Sequence, residues 1–142
     1  MADVAIKKGK DVNFIIGARS KEYVMYEERM KKAGAKVLVT TDDGSGGLEG
    51  YPTDALKKII DDMDKVYACG PEIMLETVGK MCKEKNIPCE LSMERYMKCG
   101  YGICGQCCID ESGDRVCKEG PVFSGKKLLN SSEFGNYKRT KS

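Results

Sequence analysis

Cys99, Cys104 and Cys107 stand at C-x4-C-x2-C spacing, and Cys117 follows ten positions after the third. That is plant-type spacing for a 2Fe-2S cluster, in which two irons bridged by sulfides take four thiolates. Wrapping such a cluster with a short loop requires a backbone that bends without side-chain collisions, and Gly100, Gly102 and Gly105 supply it. Cys117 is expected on a second strand, Arg115-Val116-Cys117, returned by the turn formers of Glu111-Ser112-Gly113-Asp114. Two other readings use the same residues. A structural zinc site also takes four thiolates, though usually as two separated CxxC-like pairs. Cys104-Gly105-Gln106-Cys107 taken alone is a redox dithiol pattern, which leaves Cys99 and Cys117 without a role. Neighbouring side chains on an extended segment point oppositely, so Cys108 is expected to pack away from the ligand Cys107.

The 142 residues around this loop are 41% hydrophobic and 32% charged, as in a globular protein able to bury roughly 70% of its unfolded surface. A net charge of +2 gives no reason to expect nucleic acid as a partner. Lys126, Lys127, Lys138, Arg139 and Lys141 against Glu133 make residues 126–142 a basic end, expected as a solvated tail. No run approaches the roughly 20 apolar residues of a membrane span and no signal peptide opens the chain. Eight unevenly spaced cysteines without an export signal suggest reduced thiols in the cytoplasm rather than a disulfide framework. Zero histidines exclude Rieske-type ligation and any Ser-His or Cys-His catalytic pair.

The elements before the loop alternate. A helix end stopped at Gly9 leads to a strand, Val12–Gly17, whose continuous apolar run suits a sheet covered on both faces. Ser20 can cap a helix with apolar positions Tyr23, Tyr26, Met30 and Ala33, ended by Gly34. A strand over 36–40 runs into the polar, Gly-rich loop 41–50, at the carboxyl strand end where open α/β sheets bind ligands. Thr53 can cap a helix with Leu56, Ile59, Ile60 and Met63 on one face. A strand over 65–69 enters Gly70-Pro71 and a helix to about Lys85, with Met74, Leu75, Val78, Met81 and Cys82 as core. A strand over 88–93 follows. The alternation predicts a parallel-sheet, Rossmann-like α/β domain over 1–93, a small irregular or β cluster domain over 94–125 and the basic tail over 126–142. Nothing before Asp11 supplies the strand and Gly-rich turn with which a dinucleotide-binding fold opens, so the chain is expected to begin inside such a unit, as a fragment or split gene product.

Residues 94–107, with Val116-Cys117-Lys118-Glu119-Gly120-Pro121-Val122-Phe123, closely resemble the electron-transfer subunits of dihydroorotate dehydrogenase, members of the ferredoxin reductase-like flavoproteins. Ala68-Cys69-Gly70-Pro71-Glu72-Ile73-Met74, Thr41-Asp42-Asp43-Gly44-Ser45 and Gly17-Ala18-Arg19-Ser20 extend the similarity over most of residues 5–125. The resemblance implies a relay of electrons from a flavin-containing catalytic partner through a 2Fe-2S cluster to FAD and then NAD. It implies Cys99, Cys104, Cys107 and Cys117 as ligands, Cys69, Gly70 and Pro71 as nicotinamide-side contacts, and Asp43 and Ser45 as weaker nucleotide contacts. Cys69 reads equally as a buried thiol at a strand end. Arg19 leaves NAD and NADP both open. The FAD-binding barrel of the family is missing, so this chain alone is not expected to bind FAD normally or to transfer hydride. A related ferredoxin-NADP reductase or sulfide dehydrogenase subunit is the nearest alternative; the segment 116–123 favours the pyrimidine pathway. A non-catalytic module with a structural zinc on four cysteines is the alternative of another class.

Overall fold

The computed structural model describes residues 1–136, so Lys138, Arg139 and Lys141 of the expected tail lie outside the described residues. The chain packs as two compact units, residues 1–59 and 60 onward.

In the first unit, helix α1 (Ala2–Lys7) precedes strand β1 (Asn13–Ala18). The single helix expected after Ser20 is broken. Lys21–Tyr23 form one 3-10 turn, Tyr26 takes a left-handed conformation at φ 67°, and only then does α2 (Glu27–Ala33) begin. Ser20 makes no cap; its hydroxyl donates to Glu22 Oε1 at 3.3 Å. Tyr23 and Tyr26, expected on the apolar face, are exposed, and Met30 is the buried residue of α2. Gly34 does stop the helix, at φ 97°. Strand β2 (Lys36–Thr41) pairs with β1 in parallel, and a short β3 (Leu48–Glu49) inside the Gly-rich loop adds a third parallel strand on the far side of β2. Helix α3 (Pro52–Ile59) opens with proline at its first position, which costs no hydrogen bond there. Thr53 therefore lies inside the helix, and Asp54 closes the start instead, its Oδ2 accepting from Tyr51 N–H at 2.9 Å. The apolar run of β1 is not covered as expected: Phe14, Ile15 and Ile16, like Val37, Leu38 and Val39 of β2, are only half-buried.

The second unit is built on β4 (Val66–Cys69), helix α4 (Glu72–Glu84) and β5 (Cys89–Ser92), with β4 and β5 parallel. Leu75, Val78 and Cys82 recur at helical spacing on the buried side of α4, and Leu91 of β5 is fully enclosed. The cluster segment does not stand apart from this sheet. Beyond the cysteine loop, β6 (Val122–Ser124) returns to pair antiparallel with β5, and helix α5 (Gly125–Leu128) packs on α4 and β5. Ser124 caps α5, its hydroxyl accepting from Lys127 N–H at 3.3 Å. The start of the expected solvated tail is thus packed: Leu128 and Phe134 are buried, because apolar residues interleave with the lysines that gave the segment its charge.

A candidate iron-sulfur centre

Beyond Met93 the chain runs without regular structure until β6, and the cysteine loop is held by turns and single bonds. Arg95 anchors its near end. The guanidinium is enclosed and bonds the Glu72 carboxylate in the first turn of α4, with Glu133 accepting from Nη2 at 3.1 Å. Glu133 also accepts from Asp110 N–H at 3.1 Å, and Glu72 accepts from Gly135 N–H at 3.0 Å. One buried cation therefore joins the start of α4, the far side of the cysteine loop and the C-terminal segment, satisfying the buried charge as burial demands.

The four expected ligands lie on this framework as two pairs. Cys99 and Cys104 interact through their thiols, and the peptide N–H of Ile103 donates to Cys99 Sγ at 3.4 Å. The amides of Cys104, Tyr101 and Ile103 together bring the Cys99 thiol down to about 6, so its thiolate prevails at neutral pH. Cys107 and Cys117 form the second pair, with the Cys117 N–H donating to Cys107 Sγ at 3.4 Å. The neighbouring Cys107 thiol, then burial, raises the Cys117 thiol. The expected strand Arg115–Cys117 reduces to one antiparallel bridge between Cys108 and Arg115, with Cys108 half-buried. Gly102 is required here: at φ +85°, a Cβ on it would come within 2.6 Å of the Lys118 side chain.

Among the described residues, no three His, Cys, Asp or Glu side chains converge tightly enough to hold a single metal ion. A binuclear centre makes a different demand, two thiolates at each of two irons, and two adjacent thiol pairs with amides turned toward the sulfurs suit it. The donor chemistry of the loop, two thiol pairs with amides turned toward the sulfurs, fits an iron-sulfur group. The remaining thiols differ in kind. Burial, then the neighbouring Cys89, pushes Cys82 up to about 12, which leaves it protonated and inert between α4 and β5.

The expected nucleotide contacts fall on both units. Cys69 ends β4 exposed rather than as a buried thiol. Gly70 follows at φ +154°, where a Cβ would meet Met74 Cε at 2.7 Å, and Pro71 occupies the position before α4. In the first unit, Asp43 and Ser45 spend their polar atoms on each other and on the turn at Lys21. Ser45 N–H and Oγ donate to Asp43 Oδ1 at 2.9 and 2.6 Å, and Ser45 Oγ accepts from Lys21 N–H at 2.8 Å. The bonds from Ser45 hold the Asp43 carboxyl below its ordinary range. Beside the loop is an open depression of about 420 Å³ lined in part by Lys21, Lys31, Val39 and Ser45.

Two charged groups of the site escape a search for ligand types. Arg95 and Glu133 are 38 positions apart and no local pattern links them. Arg115 and Glu119 form an i,i+4 pair whose spacing is the one local signal for it, and Arg115 Nη1 also donates to the Gly102 carbonyl at 2.6 Å. The guanidinium of Arg115 draws the Glu119 carboxyl down to about 2.

The fold and loop define an α/β chain of ferredoxin reductase type that carries an iron-sulfur domain. A solved chain of an NADH-dependent reduced ferredoxin-NADP oxidoreductase superposes on 96% of this one with a TM-score of 0.75 at 31% identity, using 52% of its own length. Residues 94–129 match the iron-sulfur cluster binding domain of dihydroorotate dehydrogenase B. The probable electron transfer subunit of dihydroorotate dehydrogenase B (NAD(+)) from Methanocaldococcus jannaschii is 48% identical over 135 residues, 94% of this chain and 52% of the relative. Its counterparts from Methanothermobacter thermautotrophicus and Pyrococcus furiosus are 42% and 48% identical over 98% and 89% of this chain, which covers 52% and 49% of theirs. The chain is similar over most of its length to electron-transfer subunits of dihydroorotate dehydrogenase B and spans about half the length of the curated relatives it matches.

Proposed function

We propose that this chain is the nucleotide-plus-cluster portion of an electron-transfer subunit, relaying electrons between a flavin-containing dihydroorotate dehydrogenase partner and NAD in the cytoplasm. The observation that carries the reading is the pair of adjacent thiol pairs in a Gly-rich loop whose amides face the sulfurs. Cys99 and Cys104 would hold one iron and Cys107 and Cys117 the other. Bound there, a 2Fe-2S group supplies single-electron chemistry between a flavin and a two-electron carrier. The chain's own part is to fix four sulfurs, aim amides at them and exclude water from Cys107, which is buried. On the second unit, Cys69, Gly70 and Pro71 would contact the nicotinamide side of a pyridine nucleotide; on the first, Asp43 and Ser45 would be weaker nucleotide contacts. FAD would be carried in the part of the relatives' length that this chain does not span. The functional division remains 1–93 for nucleotide and 94–125 for the cluster, although packing joins β6 to β5.

A second reading, a subunit of a ferredoxin-NADP oxidoreductase, draws on the TM-score of 0.75 to such a chain. Co-purification separates the two by the flavoprotein recovered. Anaerobic purification with analysis of iron, acid-labile sulfide and zinc, followed by reduced-state electron paramagnetic resonance, tests the cluster itself. Two irons and two sulfides per chain with a reduced-state signal are expected. Zinc at one equivalent with neither iron nor sulfide would replace the relay with a structural four-cysteine zinc module.

A further inference from the structure

Arg115 brings a fixed positive charge to the cysteine loop. Its guanidinium lies within electrostatic reach of the Cys108 and Cys117 sulfurs, and Nη1 donates to the Gly102 carbonyl at 2.6 Å, midway between Cys99 and Cys104 in sequence. The same guanidinium is gripped from its other side. Glu119 accepts from Arg115 Nε at 3.0 Å, from Nη2, and from the Arg115 peptide N–H at 2.7 Å. A forked guanidinium held at both ends cannot swing away, so its charge stays where the loop needs it.

A centre ligated by four thiolates becomes more negative when it gains an electron. A nearby positive charge favours the reduced form and raises the potential; a nearby negative charge does the reverse. Arg115 and Glu119 oppose each other, and both are about one-third exposed, so neither is free of solvent screening. Lys118, whose side chain packs against Gly102, and Asp114, paired to Lys127 at 2.7 Å, are further charges near the pair.

We propose that Arg115 is a positioning residue of the cluster loop and that the Arg115–Glu119 pair sets the reduction potential of the centre, the arginine raising it and the glutamate holding it down. This rests on the cluster reading above. The arginine has two separable parts, a charge that acts on the potential and a single Nη1 bond to the Gly102 carbonyl, held in place by the fork on Glu119, that acts on loop closure.

The experiment is a redox titration, followed by electron paramagnetic resonance, of the 142-residue chain with its cluster assembled anaerobically, in the wild type and four variants. Glu119→Gln uncovers the positive charge and shifts the midpoint upward. Arg115→Gln leaves the negative charge and shifts it downward. The Arg115→Gln, Glu119→Gln double variant restores the charge balance and returns the midpoint toward wild type. Arg115→Lys keeps the charge but not the fork, so its midpoint stays near wild type while its cluster is lost faster to a chelator. Midpoints that do not move, or that move the same way in both single variants, overturn the proposal. Should Arg115→Gln fail to hold a cluster, Glu119→Gln decides alone, because Glu119 makes no bond to the Gly102 carbonyl: an upward shift supports the pair, and no shift or a downward one overturns it. A wild-type chain with no reduced-state signal takes the cluster reading down as well, whereas a normal signal with unmoved midpoints removes only the role of the pair.

Discussion

Strands β1 and β2 of the first unit and β5 of the second carry similar apolar residues, yet those residues are buried differently. Phe14, Ile15, Ile16, Val37, Leu38 and Val39 are half-buried, while Leu91 is fully enclosed and Val66 and Cys89 are buried. The cause is what packs on them. The second sheet receives α4, α5 and the antiparallel β6, whereas the first receives α3 on β1 and β2 and the short, broken α2 on β2. Apolar composition makes a strand available for a core, and only a covering element makes it one. The segment that carries the cysteines therefore also does structural work, because the elements following it complete the second unit's core.

The largest effect expected from this contrast is at Arg95. Replacing it with alanine leaves Glu72 and Glu133 facing each other in a nearly enclosed site, and should destabilise the second unit by about 3–5 kcal/mol. Denaturant unfolding checks this, and a loss under about 1 kcal/mol would mean that the three groups are more hydrated than their geometry implies. A matched pair of truncations sharpens the comparison directly. Leu91→Ala should cost about 2–5 kcal/mol, as for a filled core site. Leu38→Ala should cost roughly 1–2 kcal/mol, because part of that side chain is in water already. Equal losses would show that the first sheet is covered in solution by something further. Smaller again is Asp54→Ala, which removes the acceptor for Tyr51 N–H at the start of α3 and should cost about 0.5–1 kcal/mol in a thermal melt.

Much of this was readable along the chain. The order of strands and helices through residue 93, the stop at Gly34 and the core face of α4 follow from periodicity and punctuation, which are local properties. The pairing of Cys99 with Cys104 is local in the same way, since spacing and glycines act over a few residues. What sequence reading missed is long-range. Tyr23 and Tyr26 have helical spacing with Met30, but Tyr26 sits at φ 67° and the period is broken there. Leu128, in the segment expected as a solvated basic tail, is buried because α5 packs on α4 and β5. Arg95 reads as one more exposed cation until Glu72 and Glu133 are brought to it from 23 and 38 positions away.

The two Gly-rich loops sharpen the same contrast at the level of chemistry. In 41–50 the donors and acceptors satisfy one another, with Ser45 serving Asp43 and Thr41 Oγ1 donating to the Gly46 carbonyl at 2.9 Å. In the cysteine loop, the amides of Cys104, Tyr101 and Ile103 serve a sulfur, and the Cys99 thiol falls from an ordinary 9.0 to about 6. A thiol lowered on folding adds stability in full above its unfolded value, and that contribution fades as pH falls from 9.0 through 6. The metal-free chain should then show alkylation of Cys99 with a midpoint near pH 6 when folded and near 9.0 in denaturant, measured by mass spectrometry of the modified peptide. Stability of the metal-free chain should rise over the same interval, and Cys99→Ser should flatten that rise. A folded-state midpoint near 9.0 would mean that the loop does not hold its amides toward the sulfur before metal arrives, and that the centre is shaped by the cluster instead of for it.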